Sequence, residues 1–148
     1  MSKSLLTLFT ICSFVFAFGQ SEKERIIGIW WNEEFTTRIE VFENNEKFYG
    51  KIIWLKNDAN TDGTSPRLDS ENPEKELQKR RILGLLILKN LVWDADDNEW
   101  NDGEIYSPAH GKSFSCYAQL TQENKLFLKG YVLGLPFLGA STVWTRYN

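Results

Sequence analysis

The stretch TRIEVFENNEKFYGKIIWL, residues 37–55, decides the fold. Before the Asn44-Asn45 pair, the apolar residues Ile39 and Val41 alternate with charged ones, and a second alternating run begins at Phe48. Side chains that alternate with a period of two fit a β-strand with one buried face. Two such runs around a turn-forming pair predict a β-hairpin.

The same pattern extends to both sides of this hairpin. An apolar run precedes it at 26–31, and further strands are predicted at 91–94, 104–107, 113–120, 125–131 and 140–147. Turn residues separate these runs at short, regular intervals, which is typical of a β-sandwich or β-barrel. Closure into a barrel leaves no exposed edge strand. We therefore predict an all-β fold, a small antiparallel β-barrel.

Residues 56–91 are less regular. The segment 56–73 is rich in Asn, Asp, Gly and Pro, which predicts a long loop. Asn72-Pro73 could begin one short helical turn within 73–81, with Asn72 as its cap. The apolar residues 82–91 could form a strand or a short buried helix, and periodicity cannot separate the two. Gly84 and the β-rich surroundings favour extended structure.

The N-terminus has the features of a secretory signal peptide. A single basic residue, Lys3, precedes a largely apolar run at 5–18, and small residues at Ala17 and Gly19 suit a signal peptidase. A retained anchor helix is the alternative, but the run is shorter than the ~20 residues that span a bilayer. We predict a signal peptide at 1–19, one domain at 20–148, export to the periplasm or beyond, and no stable membrane span after cleavage.

Composition limits the partners and the sources of stability. The formal net charge is −3 and no basic face is evident, which argues against nucleic-acid binding. Cys12 would leave with the signal peptide, so Cys116 has no partner for an internal disulfide. Cys116 lies in an alternating run and is predicted to be a buried, inert thiol. The six tryptophans can supply a well-packed core.

Motifs at the two ends of the domain resemble those of lipocalin-like (calycin-type) barrels. Gly28-Ile29-Trp30 opens the first strand and Trp144-Thr145-Arg146 closes the last. In such barrels the tryptophan of a Gly-x-Trp motif packs under a basic residue from near the C-terminus. The resemblance implies a barrel plug made by Gly28, Trp30, Trp144 and Arg146. A guanidinium over an indole adds cation–π attraction of ~0.5–2 kcal/mol.

The chain as a whole is similar to an exported bacterial family known as domain-of-unknown-function family 2147. The matching segments follow in order and are 28–30, 50–55, Asp69 with Asn72-Pro73, 80–85, 103–108, 111–114, 128–131, 138–139 and 144–146. Two positions depart from the family pattern: Ser107 stands where an acidic residue is usual, and Phe114 where a tyrosine is usual. The resemblance implies a lipocalin-like barrel and export, and it assigns no activity or catalytic residue.

Aromatic residues on the predicted strands suggest a ligand site. Small barrels either fill their interior with side chains or hold one small ligand. The predicted ligand-binding residues are Tyr49, Trp54, Arg81, Phe114, Tyr117, Phe127 and Tyr131. We therefore expect a non-enzymatic binding module for a small apolar or amphipathic ligand, without a cofactor. The sequence assigns no oligomeric state. The alternative is a structural or interaction protein of the cell envelope with a filled barrel.

A partial calcium-loop pattern occurs in the long loop. Asp58, Asn60, Asp62 and Asp69 stand at alternate and final positions of such a loop, with Gly63 at the sixth. The ninth position is a proline and the last ligand is Asp rather than Glu. The pattern thus favours an ordinary polar loop, and no metal site is predicted.

Other chemistry is sparse. His110 is the only histidine, and although Cys116 is near in sequence, a buried thiol is a poor nucleophile. An enzyme acting on an envelope component would need ionisable groups to converge around Asp69, Arg80, Arg81 or His110. No catalytic residue is predicted. The uncharged segment 131–138 is expected to be a loop that forms a barrel rim, a partner surface or a membrane-touching lip.

Overall fold

The computed structural model describes residues 21–148, apart from the side chains of Pro136 and Phe137. The predicted signal peptide at 1–19 lies outside the described residues. Within the described part, no helix has the length and apolar character needed to cross a membrane.

Eight strands form a closed antiparallel barrel. The strands are β1 (Gly28–Trp31), β2 (Thr37–Asn44), β3 (Lys47–Leu55), β4 (Leu86–Asp94), β5 (Glu99–Ser107), β6 (Lys112–Leu120), β7 (Leu126–Val132) and β8 (Leu135–Arg146). Each strand pairs with the next, and β8 pairs with β1 through Trp30–Arg146 and Trp31–Thr145. The predicted all-β antiparallel barrel is confirmed.

Alternation along each strand places one set of side chains inside. On β3, Phe48, Gly50 and Ile52 are buried, while the residues between them are not. The interior is tightly packed in places, and Gly103 marks one of them. A Cβ atom on Gly103 would lie 2.5 Å from Leu91 Cδ2 and 2.8 Å from Cys116 Sγ, so only glycine fits there.

One end of the barrel is closed by the N-terminal segment. A 3₁₀ helix (Glu22–Ile26) precedes β1 and lies across this end. Trp30 is fully buried, and its Nε1 donates a hydrogen bond to Ile26 O at 2.9 Å. Trp100 Nε1 donates to Lys23 O at 3.2 Å. The two indoles thus attach the helix to the barrel.

Arg146 completes the closed end. Its guanidinium carbon lies 4.1 Å from the centroid of the Trp30 ring. Its two Nη atoms donate hydrogen bonds to Ile27 O and Arg25 O. Gly28 has φ +138°, and a Cβ there would lie 2.7 Å from Arg146 Nη1. The Gly-x-Trp spacing therefore leaves room for the arginine above the indole.

The β1–β2, β3–β4, β5–β6 and β7–β8 connections all lie at the opposite end, where the interior is open. The β3–β4 connection is long and contains a second 3₁₀ helix (Leu77–Lys79), within the range predicted for a helical turn. The cap of this helix is Glu76 rather than the predicted Asn72. Asn72 Oδ1 instead accepts a hydrogen bond from Glu74 N at 2.9 Å in the turn that precedes the helix. An isolated bridge between Leu68 and Arg81 holds the loop together.

Several boundaries differ from the sequence prediction. The segment 131–138 is not an open loop: β7 and β8 meet in a two-residue turn at Leu133-Gly134. Strand β5 begins at Glu99 rather than at 104, since a bulge between Trp100 and Gly103 hides its alternation. In the segment 82–91, only the part from Leu86 onward is a strand.

Replacing Arg146 with Met tests the closure of this end. Met keeps apolar cover over Trp30 but removes the cation and leaves two carbonyls without donors. We expect the free energy of unfolding to fall by roughly 2–4 kcal/mol. Urea unfolding followed by tryptophan fluorescence measures it. The control is Arg81→Met, which removes an exposed ion pair and should cost less than about 1 kcal/mol. Equal losses in the two variants would contradict the assigned role of Arg146.

Candidate functional site

A cavity of about 600 Å³ occupies the open half of the barrel. It lies between the inner faces of β5 to β8, and its lining is mainly apolar. The lining residues are Ile105, Tyr106, Ser107, Pro108, His110, Phe114, Leu128, Gly130, Val132, Leu138, Gly139, Ala140, Ser141, Thr142 and Trp144. Ligand sites of proteins typically enclose ~300–1,000 Å³, with few polar groups. This cavity has the size and character of such a site.

A second cavity of about 360 Å³ lies towards β2 and β3 and is partly lined by the long loop. Ser107, Pro108 and Trp144 border both cavities. Trp144 is 3% exposed, so it forms a buried wall between the two spaces. The closed half of the barrel, by contrast, is filled by large side chains such as Trp30, Phe48 and Trp100. The interior is thus filled at one end and open at the other.

The structure brings only one of the predicted ligand-binding residues, Phe114, into the main cavity. Tyr49, Tyr117 and Phe127 each lie between two buried neighbours on their strands. Because successive side chains point to opposite faces, these three lie on the outside of the barrel. Tyr117 packs there against Phe127, with ring centroids 6.2 Å apart.

The other three predicted residues also lie elsewhere. Tyr131 packs beside Tyr117, with ring centroids 6.5 Å apart. Arg81 is exposed and forms an ion pair of 2.9 Å with Asp58. Trp54 belongs to an aromatic cluster on the outer face of β1–β3, and its ring centroid lies 5.3 Å from that of Trp31. The residues that line the cavity are mostly smaller or aliphatic, so the positions of aromatic residues on the strands do not reveal them.

The outer cluster surrounds an arginine. The Arg38 guanidinium carbon lies 4.7 Å, 4.6 Å and 4.4 Å from the ring centroids of Trp31, Trp54 and Tyr147. Arg38 Nε is buried and has no hydrogen-bond partner among the described residues. The Trp54 ring therefore packs against the Arg38 guanidinium on the outside of the barrel.

A buried polar network lies beside the cavity mouth. Asp69 is fully buried, and its Oδ2 accepts from Arg80 Nη2 at 2.7 Å and from Arg80 Nε at 2.8 Å. Tyr106 Oη donates to Asp69 Oδ1 at 2.7 Å, and Asn72 Nδ2 donates to both Asp69 Oδ2 and Tyr106 Oη. All partners of the carboxylate are thus internal. Burial, followed by the bond to Asp69, raises the pKa of Tyr106.

This network fixes the long loop at the mouth. Tyr106 is on β5, whereas Asp69, Asn72 and Arg80 are all in the β3–β4 connection. The β5–β6 turn packs against the same loop so closely that a Cβ on Gly111 would lie 1.8 Å from Glu71 O. Ionisable groups converge here, and the bonds of the Asp69 carboxylate all connect the long loop to itself and to β5.

The oxygens of the partial calcium motif are used within the loop. Asp62 Oδ1 accepts from Thr64, Asn60 Oδ1 accepts from Leu68 N, and Asp58 accepts from Arg67 N and from Arg81. Among residues 21–148, no three His, Cys, Asp or Glu side chains cluster in a way that could hold a metal ion.

Ser107 and Cys116 are the candidate nucleophiles near His110. Ser107 Oγ lies 2.9 Å from His110 Nδ1 at the edge of the main cavity, but within the described residues no carboxylate bonds to His110 to orient it. Cys116 is fully buried, and burial together with the negative charge of Glu104 raises the pKa of its thiol to about 12. A thiol that stays protonated and inaccessible cannot act as a nucleophile at neutral pH.

Comparisons with known proteins support this fold. The model of the family described as "Uncharacterized protein conserved in bacteria (DUF2147)" matches residues 28–146, so the chain belongs to that family. Among solved structures, the chain is similar to protein HP1028 of Helicobacter pylori, which is described as a lipocalin-family member. Their identity is 24%, each chain is covered to 83%, and the TM-score is 0.69. This likeness shows a lipocalin-like fold. No curated protein matches the chain significantly.

Loss of the Asp69 network should free the long loop selectively. Asp69→Asn weakens the pairing with Arg80 and replaces an acceptor that four donors share. A broken buried pair costs ~3–5 kcal/mol, and since Arg80 is partly exposed we expect roughly 2–3 kcal/mol. Hydrogen exchange should accelerate across 56–85. Asp62→Asn, in the exposed part of the same loop, is the control and should change little. Uniform acceleration over the whole barrel would contradict a local role.

Cys116 gives a prediction for thiol chemistry and pH. Ellman's reagent at pH 8 should leave the folded protein unmodified and react after unfolding in urea. The pKa of this thiol is raised from 9.0 to about 12 on folding. The stability that it contributes is therefore present below pH 9 and is lost as the pH rises towards 12. Urea midpoints should fall more between pH 9 and 11 for the wild type than for Cys116→Ala. Rapid labelling of the folded protein would contradict the assigned burial.

Proposed function

We propose that this protein is an exported binding protein that holds a small apolar or amphipathic ligand in the open half of its barrel. The single observation that carries the proposal is the cavity of about 600 Å³ with a mainly apolar lining. Burial of a ligand's apolar surface stabilises a complex by ~25 cal/mol per Å². A space of this size lined by Ile105, Phe114 and Leu128 supports binding of a hydrocarbon group.

The polar groups at the cavity edge favour an amphipathic ligand. Ser107 and His110 border the mouth, whereas Leu128 and Trp144 border the deeper space. A ligand with one apolar and one polar end would place its chain on the aliphatic side chains and its polar group near Ser107 and His110. The hydroxyl and the imidazole can each donate or accept a hydrogen bond.

Export is part of the proposal and rests on the signal-like segment at 1–19. Intact-mass measurement of protein from the periplasmic or culture fraction tests it. The expected mass is that of a chain beginning at Gln20. A full-length chain found only in the cytoplasm would contradict export.

Filling the cavity should abolish binding without unfolding the barrel. Ala140 faces Gly130 across β7 and β8, and both residues line the cavity. In Ala140→Phe the ring would occupy the space that Gly130 leaves. Titration with N-phenyl-1-naphthylamine, followed by its fluorescence and by displacement with fatty acids, should give saturable one-site binding in the wild type. We expect at least a tenfold weaker Kd in the variant.

Val143→Phe is the matched control for this experiment. Val143 is on the same strand but between the cavity residues Thr142 and Trp144, so its side chain lies on the outer face. This variant should bind like the wild type. The proposal fails if the wild type shows no saturable binding, or if Ala140→Phe binds as tightly as Val143→Phe.

A further inference from the structure

The turn between β7 and β8 has an unusual residue at its tip. Leu133 and Gly134 form this two-residue turn, with φ of +56° and +67°, and the flanking residues Val132 and Leu135 pair with each other. Turns in which both central residues have positive φ favour Asn-Gly, because a leucine side chain is strained in the left-handed region. Leu133 is also 86% exposed. Leucine at this position therefore strains the backbone and exposes an apolar side chain to water.

A turn at the other end of the barrel shows that this geometry does not require leucine. Asn45 and Glu46 connect β2 and β3 with φ of +51° and +62°. Both residues are polar and exposed, as expected for a turn in water. A residue that breaks local rules without a packing gain is often explained by function.

The apolar surface at this tip is continuous with the cavity. We call Val132, Leu133, Leu135 and Leu138 the apolar lip. Val132, Leu135 and Leu138 are 41%, 38% and 42% exposed, and Val132 and Leu138 also line the main cavity. An unbroken apolar path therefore leads from the tip of the turn into the barrel.

Two lysines lie near the lip, while Glu104, which accepts a hydrogen bond from Ser113 on the adjacent strand, is itself paired with Lys89 at 3.5 Å. Lys129 Nζ lies 3.3 Å from Gly139 O on the same hairpin. Lys112 begins the adjacent strand at the level of the turn, because Ser115 pairs with Tyr131. Phe35, in the β1–β2 connection, is 53% exposed and has a positive φ too, but it follows Glu33 and Glu34. The lip thus combines several exposed apolar side chains with nearby lysines, whereas Phe35 is a single exposed ring next to carboxylates.

We propose that the apolar lip docks onto the surface of an anionic lipid bilayer. Exposed apolar side chains flanked by lysines gain both apolar burial and attraction to anionic headgroups. Docking brings the mouth of the cavity against the acyl chains, so an apolar ligand can pass between bilayer and barrel without crossing water. This exchange rests on the proposed function, whereas docking itself needs no ligand in the cavity.

The central test compares the binding of wild-type protein and of Leu133→Asn to lipid vesicles. Asparagine suits the left-handed turn, so the urea midpoint of the variant should equal or exceed that of the wild type. In sedimentation with vesicles of phosphatidylcholine and phosphatidylglycerol, the variant should bind at least tenfold more weakly. The wild type should bind pure phosphatidylcholine vesicles more weakly than the anionic ones. Phe35→Asn is the matched control and should keep its binding.

A site-specific probe adds a second readout. A nitrobenzoxadiazole label on Leu133→Cys should shift to shorter wavelength when anionic vesicles are added, while the same label on Asn45→Cys, at the closed end, should not. The buried Cys116 should stay unlabelled in both variants. Ala140→Phe, with its cavity blocked, should still bind vesicles, which separates failure of docking from failure of the proposed ligand site.

Three results would overturn the docking proposal. The first is that Leu133→Asn binds anionic vesicles as tightly as the wild type does. The second is that the labels at positions 133 and 45 show equal spectral shifts. The third is a wild-type dimer in sedimentation equilibrium that Leu133→Asn converts to monomer, since the lip would then cover a second copy of this chain.

Discussion

The contact of Arg146 with Trp30 is the interaction on which the rest of the structure depends. Strands β1 and β8 share two paired positions, and Tyr147 N donates to Ile29 O just beyond them, so this seam is shorter than the other strand pairings. Arg146 covers the Trp30 ring from the last strand and bonds to two carbonyls before the first. This contact joins the two ends of the chain and closes one end of the barrel. Any ligand must therefore enter from the opposite end.

The cavity follows from the distribution of side-chain volume along the barrel. Trp30, Phe48 and Trp100 fill the closed half. In the open half, β7 and β8 face inward with Gly130, Ala140 and Thr142, which are too small to meet across the interior. The Asp69 network then holds the long loop beside the mouth without filling it. A filled core and an open cavity are thus both present, at different levels of one barrel.

The sequence was sufficient to predict the fold, because a few local patterns mark the strands and the two ends of the barrel. Alternation around Asn44-Asn45 indicated the first hairpin, and the motifs at Gly28 and Arg146 indicated where the barrel begins and closes. Alternation separates two faces of a strand but does not say which face is inside. Tyr49 and Tyr117 were therefore assigned to a ligand site, although their neighbours are the buried residues.

The remaining features depend on contacts that no local pattern reveals. Tyr106 and Asp69 are 37 positions apart, and their bond requires the long loop to fold back over β5. The rings around Arg38 come from two strands, β1 and β3, and from the C-terminal segment. The bulge before Gly103 interrupts the alternation of β5, which hid its first half. The polar loop residues looked like possible ligands because sequence cannot show that they bond to one another.

The most direct test of this account locates a ligand inside the barrel. A fatty acid that carries a nitroxide on its chain broadens the NMR signals of amides near its bound position. The account predicts strong broadening at Leu128, Gly130 and Ala140, and sharp signals at the closed end around Ile26 and Phe48. Broadening centred on the outer rings at Tyr117 and Phe127, with the cavity residues unaffected, would contradict it.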